Sequence, residues 1–188
     1  MLTQPTLAGA AEVLLGILTM VAAGFDIRYR RIPNWLVLTG IVTGFIWNLY
    51  YSSGWSGLGH AAAGLGLGFA LYFPLYLLRA RGAGDVKLLA AVGAITGPGN
   101  CFWIFLLSAI LGGVIAMVIL VWHKRVQHTF FNLSFMMSDL AKLKAPYKSS
   151  EELDVTTSKG MRLPHGVSIL AGAAAFIVIA QFKIRVGA

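Results

Sequence analysis

The chain has 188 residues, 57% of them apolar, and a mean hydropathy of +0.76. A water-soluble domain of that length cannot bury so much apolar surface, so lipid is the expected solvent and one domain over residues 1–188 the expected organisation. A single cysteine, Cys101, excludes an intrachain disulfide, the four histidines lack metal-ligand spacing, and the net charge of +8 reads as anchors to anionic lipid headgroups rather than a nucleic-acid footprint.

No Lys or Arg precedes Arg28, so the first apolar stretch, Leu7–Phe25, lacks the basic start of a signal peptide and predicts a retained helix. Trp35–Tyr51 and Leu58–Leu78 follow, with Pro74 expected to kink the latter. The fourth stretch is Ala83–Gly97. Begun at Leu88 it would have about ten residues, too few to cross ~30 Å at 1.5 Å per residue, so it must start near Ala83. Cys101–Trp122 is the fifth and Leu163–Phe182 the sixth. Between these two, residues 123–163 form the one long polar segment. Val126, Phe130, Leu133, Met137, Leu140 and Leu143 recur there at helical spacing among lysines, which predicts an amphipathic helix lying on the inner leaflet. The expected fold is thus all-α: a polytopic bundle of about six transmembrane helices plus one interfacial helix.

Charge orders the connections. Arg28, Arg30 and Arg31 lie in the first, Arg79 and Arg81 with nearby Lys87 in the third, and most of the rest in the fifth, thirteen of the fifteen basic residues together. The second (Ser52–Gly57) and fourth (Pro98–Asn100) have none. The positive-inside bias then puts connections one, three and five in the cytoplasm and both termini outside. Gly40/Gly44, Gly64/Gly68 and Gly93/Gly97 have the spacing of close helix–helix contacts.

Of seven acidic residues, Asp26 and Asp85 sit at the cytoplasmic ends of spans. An ionisable group beside hydrocarbon is costly and marks a candidate functional position. Each also has an ordinary explanation: Asp26 as a helix-end partner of Arg28 or Arg30, Asp85 as a helix N-cap. Their shared depth on one side is what gives the pair a chemical use. Two carboxyls that meet hold one proton between them. The ionised member takes a proton from water and the protonated member donates to a scissile carbonyl oxygen. Gly82 and Gly84 would let the backbone before Asp85 approach a second helix or a substrate closely.

Three segments carry a resemblance. Phe25-Asp26-Ile27-Arg28-Tyr29-Arg30-Arg31-Ile32-Pro33-Asn34, Gly82-Ala83-Gly84-Asp85-Val86-Lys87-Leu88 and Leu163-Pro164-His165-Gly166 resemble, in order and spacing, the bacterial type IV prepilin peptidase family with its GxGDxK motif. The resemblance implies a multi-pass enzyme of the bacterial inner membrane, without cofactor or metal. It implies removal of the short basic leader of a prepilin at the cytoplasmic face, next to the pilin's apolar helix. The catalytic aspartates it implies are Asp26 and Asp85. Lys87 takes the motif lysine's place, although snorkelling to headgroups would also explain it. Pro33 suits the first turn of the second span, and Asn34 a local backbone bond. The paired CxxC motifs of longer members, linked to N-methylation, have no counterpart here, so no methyltransferase domain is expected. The compact form resembles the TadV/CpaA-like peptidases of Flp/Tad pili. Expected partners are a prepilin and membrane lipids, with no nucleic acid.

Other classes compete. The two carboxylates would equally serve a small proton- or cation-coupled transporter, although no internal repeat is visible. A presenilin-like peptidase would share the two aspartates. Gly54-Trp55-Ser56-Gly57 matches the rhomboid nucleophile motif, but Ser56 is expected on the outside and His165 inside, about one bilayer apart, and His60 shares Ser56's connection.

Overall fold

The structure, a computed structural model, describes residues 9–51, 54–78, 81–122 and 165–186. All regular structure among them is helical, starting with α1 (Gly9–Tyr29), α2 (Asn34–Tyr51) and α3 (Trp55–Leu77). The stretch Ala83–Trp122 is interrupted at Gly97, whose φ of 76° and ψ of 172° lie outside any helix. It is therefore two helices, α4 (83–96) and α5 (98–122), and α6 is His165–Val186. The interfacial helix expected over residues 123–163 falls outside the described residues.

Gly97 reverses the chain. Cys101 Sγ lies 3.9 Å from the Leu89 carbonyl oxygen, whereas an unbroken helix would separate those residues by about 18 Å. α4 and α5 are antiparallel legs of a hairpin with a one-residue hinge. This corrects the expected Pro98–Asn100 connection, because those residues already form the first turn of α5. Proline suits a first helical position, where no N–H is needed, and Gly97 supplies the left-handed residue. Trp55, Ser56 and Gly57, expected in the second connection, are likewise helical, and Gly54 (φ 63°) precedes them. Pro74 lies in the last turn of α3, so it coincides with the helix end.

α4 is the centre of the bundle. From Val86 to Gly97 every residue but Lys87 is buried. α2 and α3 close on it through the glycine pairs seen in the sequence. A Cβ on Gly44 would meet the Ala94 and Ile95 backbone, one on Gly64 the Gly93 backbone, and one on Gly68 the Leu89 carbonyl. With no hydrophobic drive between helices in lipid, such close backbone approach supplies the packing. Asn48 adds polar contacts. Its Nδ2 donates to Gly44 O at 3.0 Å, Ala94 O at 3.0 Å and Ile95 O at 3.2 Å. The Ala94 carbonyl needs this donor because position 98, its helical partner, is a proline without an N–H. α6 packs on α5 through a reciprocal pair of small residues, Ser108 against Gly172 and Gly112 against Ser168.

The outer surface is apolar. Val13, Ile17 and Met20 on α1, Leu38, Val42 and Ile46 on α2, and Val114, Met117 and Val121 on α5 form outward stripes. Met20 and Met117 are 66% and 63% exposed, an arrangement that water would not tolerate and lipid favours. By length and composition, four stretches among the described residues are candidates to enter a membrane: Gly9–Tyr29, Trp55–Leu77, Ala83–Ile119 and His165–Phe182. The third is the α4–α5 hairpin. The molecule is an all-helical membrane protein.

Candidate active site

The site forms where α1 ends and α2, α4 and α6 begin. Asp26 lies in the last turn of α1. That helix is closed by Arg30, whose φ of 53° makes it the one non-glycine residue with positive φ among those described. The Arg30 N–H donates to the Asp26 carbonyl at 2.9 Å, a left-handed C-cap of the kind glycine usually supplies. Arg30 thereby turns the chain into the short link to α2. The Pro33 carbonyl accepts from the Val37 N–H at 3.4 Å, so Pro33 stands at the cap of α2 rather than inside its first turn.

Asp85 enters from α4. Its N–H donates to Gly82 O at 3.2 Å, which makes Gly82 the capping residue and Asp85 the third helical position. The N-cap explanation of Asp85 is thereby corrected. A carboxylate in the first turn is favoured by the helix N-terminal N–H groups. Its side chain is buried, with 7% of the residue exposed. Neither Gly82 nor Gly84 adopts a positive φ. A Cβ on Gly84 would meet Ile32 at 3.4 Å and one on Gly82 would meet Asp85 Oδ2 at 3.9 Å, both ordinary contacts.

One cavity of about 300 Å³ brings the two acids together; its walls also carry Arg30, Arg31, Asn34 and Lys87, with Gly82 and Gly84 beside Asp85. That volume corresponds to roughly ten waters at ~30 Å³ each, enough for water and a short stretch of extended peptide. Lys87 Nζ donates to Asn34 Oδ1 at 3.1 Å. The two motif residues for which local roles were expected are therefore each other's partner, across α2 and α4.

Gly166 is the residue that sequence reasoning did not assign. Its N–H, at the start of α6, donates to Asp26 Oδ2 at 2.7 Å. A Cβ there would lie 3.0 Å from Asp26 Cβ and 3.1 Å from Oδ2, so only a glycine brings the backbone this close without displacing the acid. The one signal in the sequence was the Leu163-Pro164-His165-Gly166 segment. Nearby, the Arg81 guanidinium sits over the Tyr72 ring, 4.7 Å from its centroid, and holds the end of α3 to this side of the bundle.

The far end holds the decoy. Ser56 begins α3, about 24 Å of helix rise from Tyr72. His60 packs its ring against Gly97, at the end of α4 remote from Asp85. His165 starts α6 beside Gly166 and Asp26. Ser56 and His165 therefore lie at opposite ends of the bundle and cannot form a dyad.

The arrangement supplies two carboxyls, a fixed backbone donor to one of them and a cationic rim, which suits acid–base work on a bound water. No curated protein and no solved structure matches the chain. The family model of the type IV leader peptidases matches residues 13–117, which include Asp26, Asp85 and all the cavity's lining residues. With this match over more than half its length, the chain belongs to the type IV leader peptidase family.

Proposed function

We propose that this peptidase is an aspartic endopeptidase that removes the short basic leader of a prepilin, with Asp26 and Asp85 as the catalytic pair. The observation that carries this reading is the single cavity walled by both carboxyls. Like charges in so small a space favour a singly protonated pair. The ionised carboxylate takes a proton from a water held between the two acids. The water oxygen attacks the scissile carbonyl carbon while the other carboxyl protonates the carbonyl oxygen. Collapse of the tetrahedral intermediate breaks the C–N bond, and a proton passes to the leaving amine. One water is consumed, and the pair returns to its starting state. The Gly166 N–H fixes one oxygen of Asp26, which limits the orientations its carboxyl can sample.

In this reading all six helices cross the bacterial inner membrane, the cavity opens to the cytoplasm, and Gly82, Gly84, Pro33, Asn34 and Lys87 shape or support the site. The proposed substrates are prepilins of the Flp/Tad type, on the resemblance to the short members of the family.

The test is reconstitution of the full chain in lipid vesicles with a synthetic peptide. The peptide joins a basic leader through glycine to an apolar helix of about 20 residues. Mass spectrometry should find cleavage at the leader–helix junction. Recovery of the peptide intact, or cleavage elsewhere, would overturn the assignment.

A further inference from the structure

A second concavity adjoins the catalytic cavity and has no part in the chemistry. It is a groove of about 410 Å³ between α2 and α3, walled by Val37, Leu38 and Ile41 on one side and Leu65 and Phe69 on the other, with Ala90 of α4 as its floor. Asn34 and Lys87, hydrogen-bonded to each other, line both this groove and the cavity of the two acids, so the two spaces adjoin across that pair. Their characters differ sharply. The cavity is ringed by charge, whereas Lys87, at the shared edge, is the one charged residue of the groove.

We propose that this groove is the docking track for the apolar helix of the substrate, and that it delivers the peptide bond preceding that helix to Asp26 and Asp85. The proposal rests on the peptidase reading given above. Three features fit such an occupant. The α2 wall from Asn34 to Ile41 extends about 10 Å along its helix, close to two turns of a docked helix. The floor is alanine and the walls are branched or aromatic, so a helix can approach closely and be gripped laterally. Leu38 is 62% and Phe69 43% exposed, so the groove opens sideways to the lipid from which such a helix must arrive. A lipid chain fits the same apolar surface. The substrate helix, however, is tethered to a peptide lying in the adjoining cavity, and that tether raises its local concentration at the groove.

The experiment uses the full chain, carrying Asp85→Asn to keep substrate uncleaved, in vesicles of mixed zwitterionic and anionic phospholipid. The photoreactive residue p-benzoyl-phenylalanine replaces Ile41 in one sample, Phe69 in a second and outward-facing Val178 of α6 in a third. The probe is the leader–helix peptide described above. Crosslinks to its helical portion are expected from positions 41 and 69 and not from 178. Crosslinks to lipid alone at 41 and 69, or equal peptide crosslinking at 178, overturn the proposal. In the otherwise wild-type chain, Leu38→Trp obstructs the groove at an exposed position and should raise KM about tenfold with little change in kcat, while Val178→Trp changes neither. An unchanged KM in Leu38→Trp also overturns it. If the wild-type enzyme cleaves the peptide but these results fail, the groove assignment falls and the peptidase reading stands. If the wild type does not cleave, the peptidase reading falls first.

Discussion

The Gly166 N–H meets Asp26 Oδ2 at 2.7 Å across a sequence separation of 140 residues, and a methyl group on the adjoining α-carbon would crowd Asp26 at 3.0–3.1 Å. In Gly166→Ala the new methyl must push the acid aside. A displacement near 1 Å at a reacting group can cost about 100-fold, and a shift of a few tenths of an ångström correspondingly less, so kcat should fall about 3- to 10-fold. KM should change little, because Gly166 is not among the residues that wall the apolar groove. Steady-state kinetics of leader cleavage, with a melting curve to establish folding, will check this. Wild-type kcat in a folded variant would remove Gly166 from the site.

The dyad mechanism demands one protonated and one ionised carboxyl. The pH profile of kcat should therefore be bell-shaped: activity falls below the lower macroscopic pKa, when both acids are protonated, and above the higher, when both are ionised. Single-turnover rates across acidic to alkaline pH provide the check. A plateau through both limbs would exclude shared-proton chemistry.

Asn48 holds α2 to the end of α4 with two donated contacts, one of them to the carbonyl that Pro98 leaves without a helical partner, and a third returns to Gly44 of its own helix. Its replacement in Asn48→Leu removes these bonds from the bundle interior. Interhelical hydrogen bonds in membranes contribute about 0.6–2 kcal/mol each, so unfolding in mild detergent should occur with about 1–3 kcal/mol less stability. The site lies at the other end of α4, so kcat at low temperature should be retained.

Two glycines of the same spacing class should behave differently. A Cβ on Gly64 would strike the Gly93 backbone, which cannot yield without parting α3 from α4. A Cβ on Gly40 would meet the flexible tips of Leu18 at 2.8 and 2.9 Å. Gly64→Ala should cost about 1–3 kcal/mol and Gly40→Ala less than about 1 kcal/mol. Equal losses in the two melting curves would contradict the geometry.

These seams were legible in the sequence because close backbone approach leaves a mark in composition, glycine at four-residue spacing. The convergence of Asp26 and Asp85 was legible from the alternation of charged and uncharged connections, which set both acids at one depth. The reversal between the fourth and fifth stretches was legible, but its turn was placed at Pro98–Asn100 rather than at Gly97. Gly97-Pro98-Gly99-Asn100 is a run of turn-forming residues, yet a proline that breaks a helix interior also begins one. The role of Gly166 was hidden because a backbone N–H leaves no residue-type signature and its partner is distant in the chain. Lys87 and Asn34 were each recognised, but only the packing of α2 against α4 makes them a pair.

The most direct measurement is kcat for leader cleavage by reconstituted wild-type, Asp26→Asn, Asp85→Asn and Ser56→Ala enzymes, with folding checked for each. The account predicts a loss of about 1,000-fold or more in each aspartate variant, and wild-type kcat in Ser56→Ala. Substantial cleavage by a folded Asp26→Asn or Asp85→Asn enzyme, or loss of activity in Ser56→Ala, would contradict it.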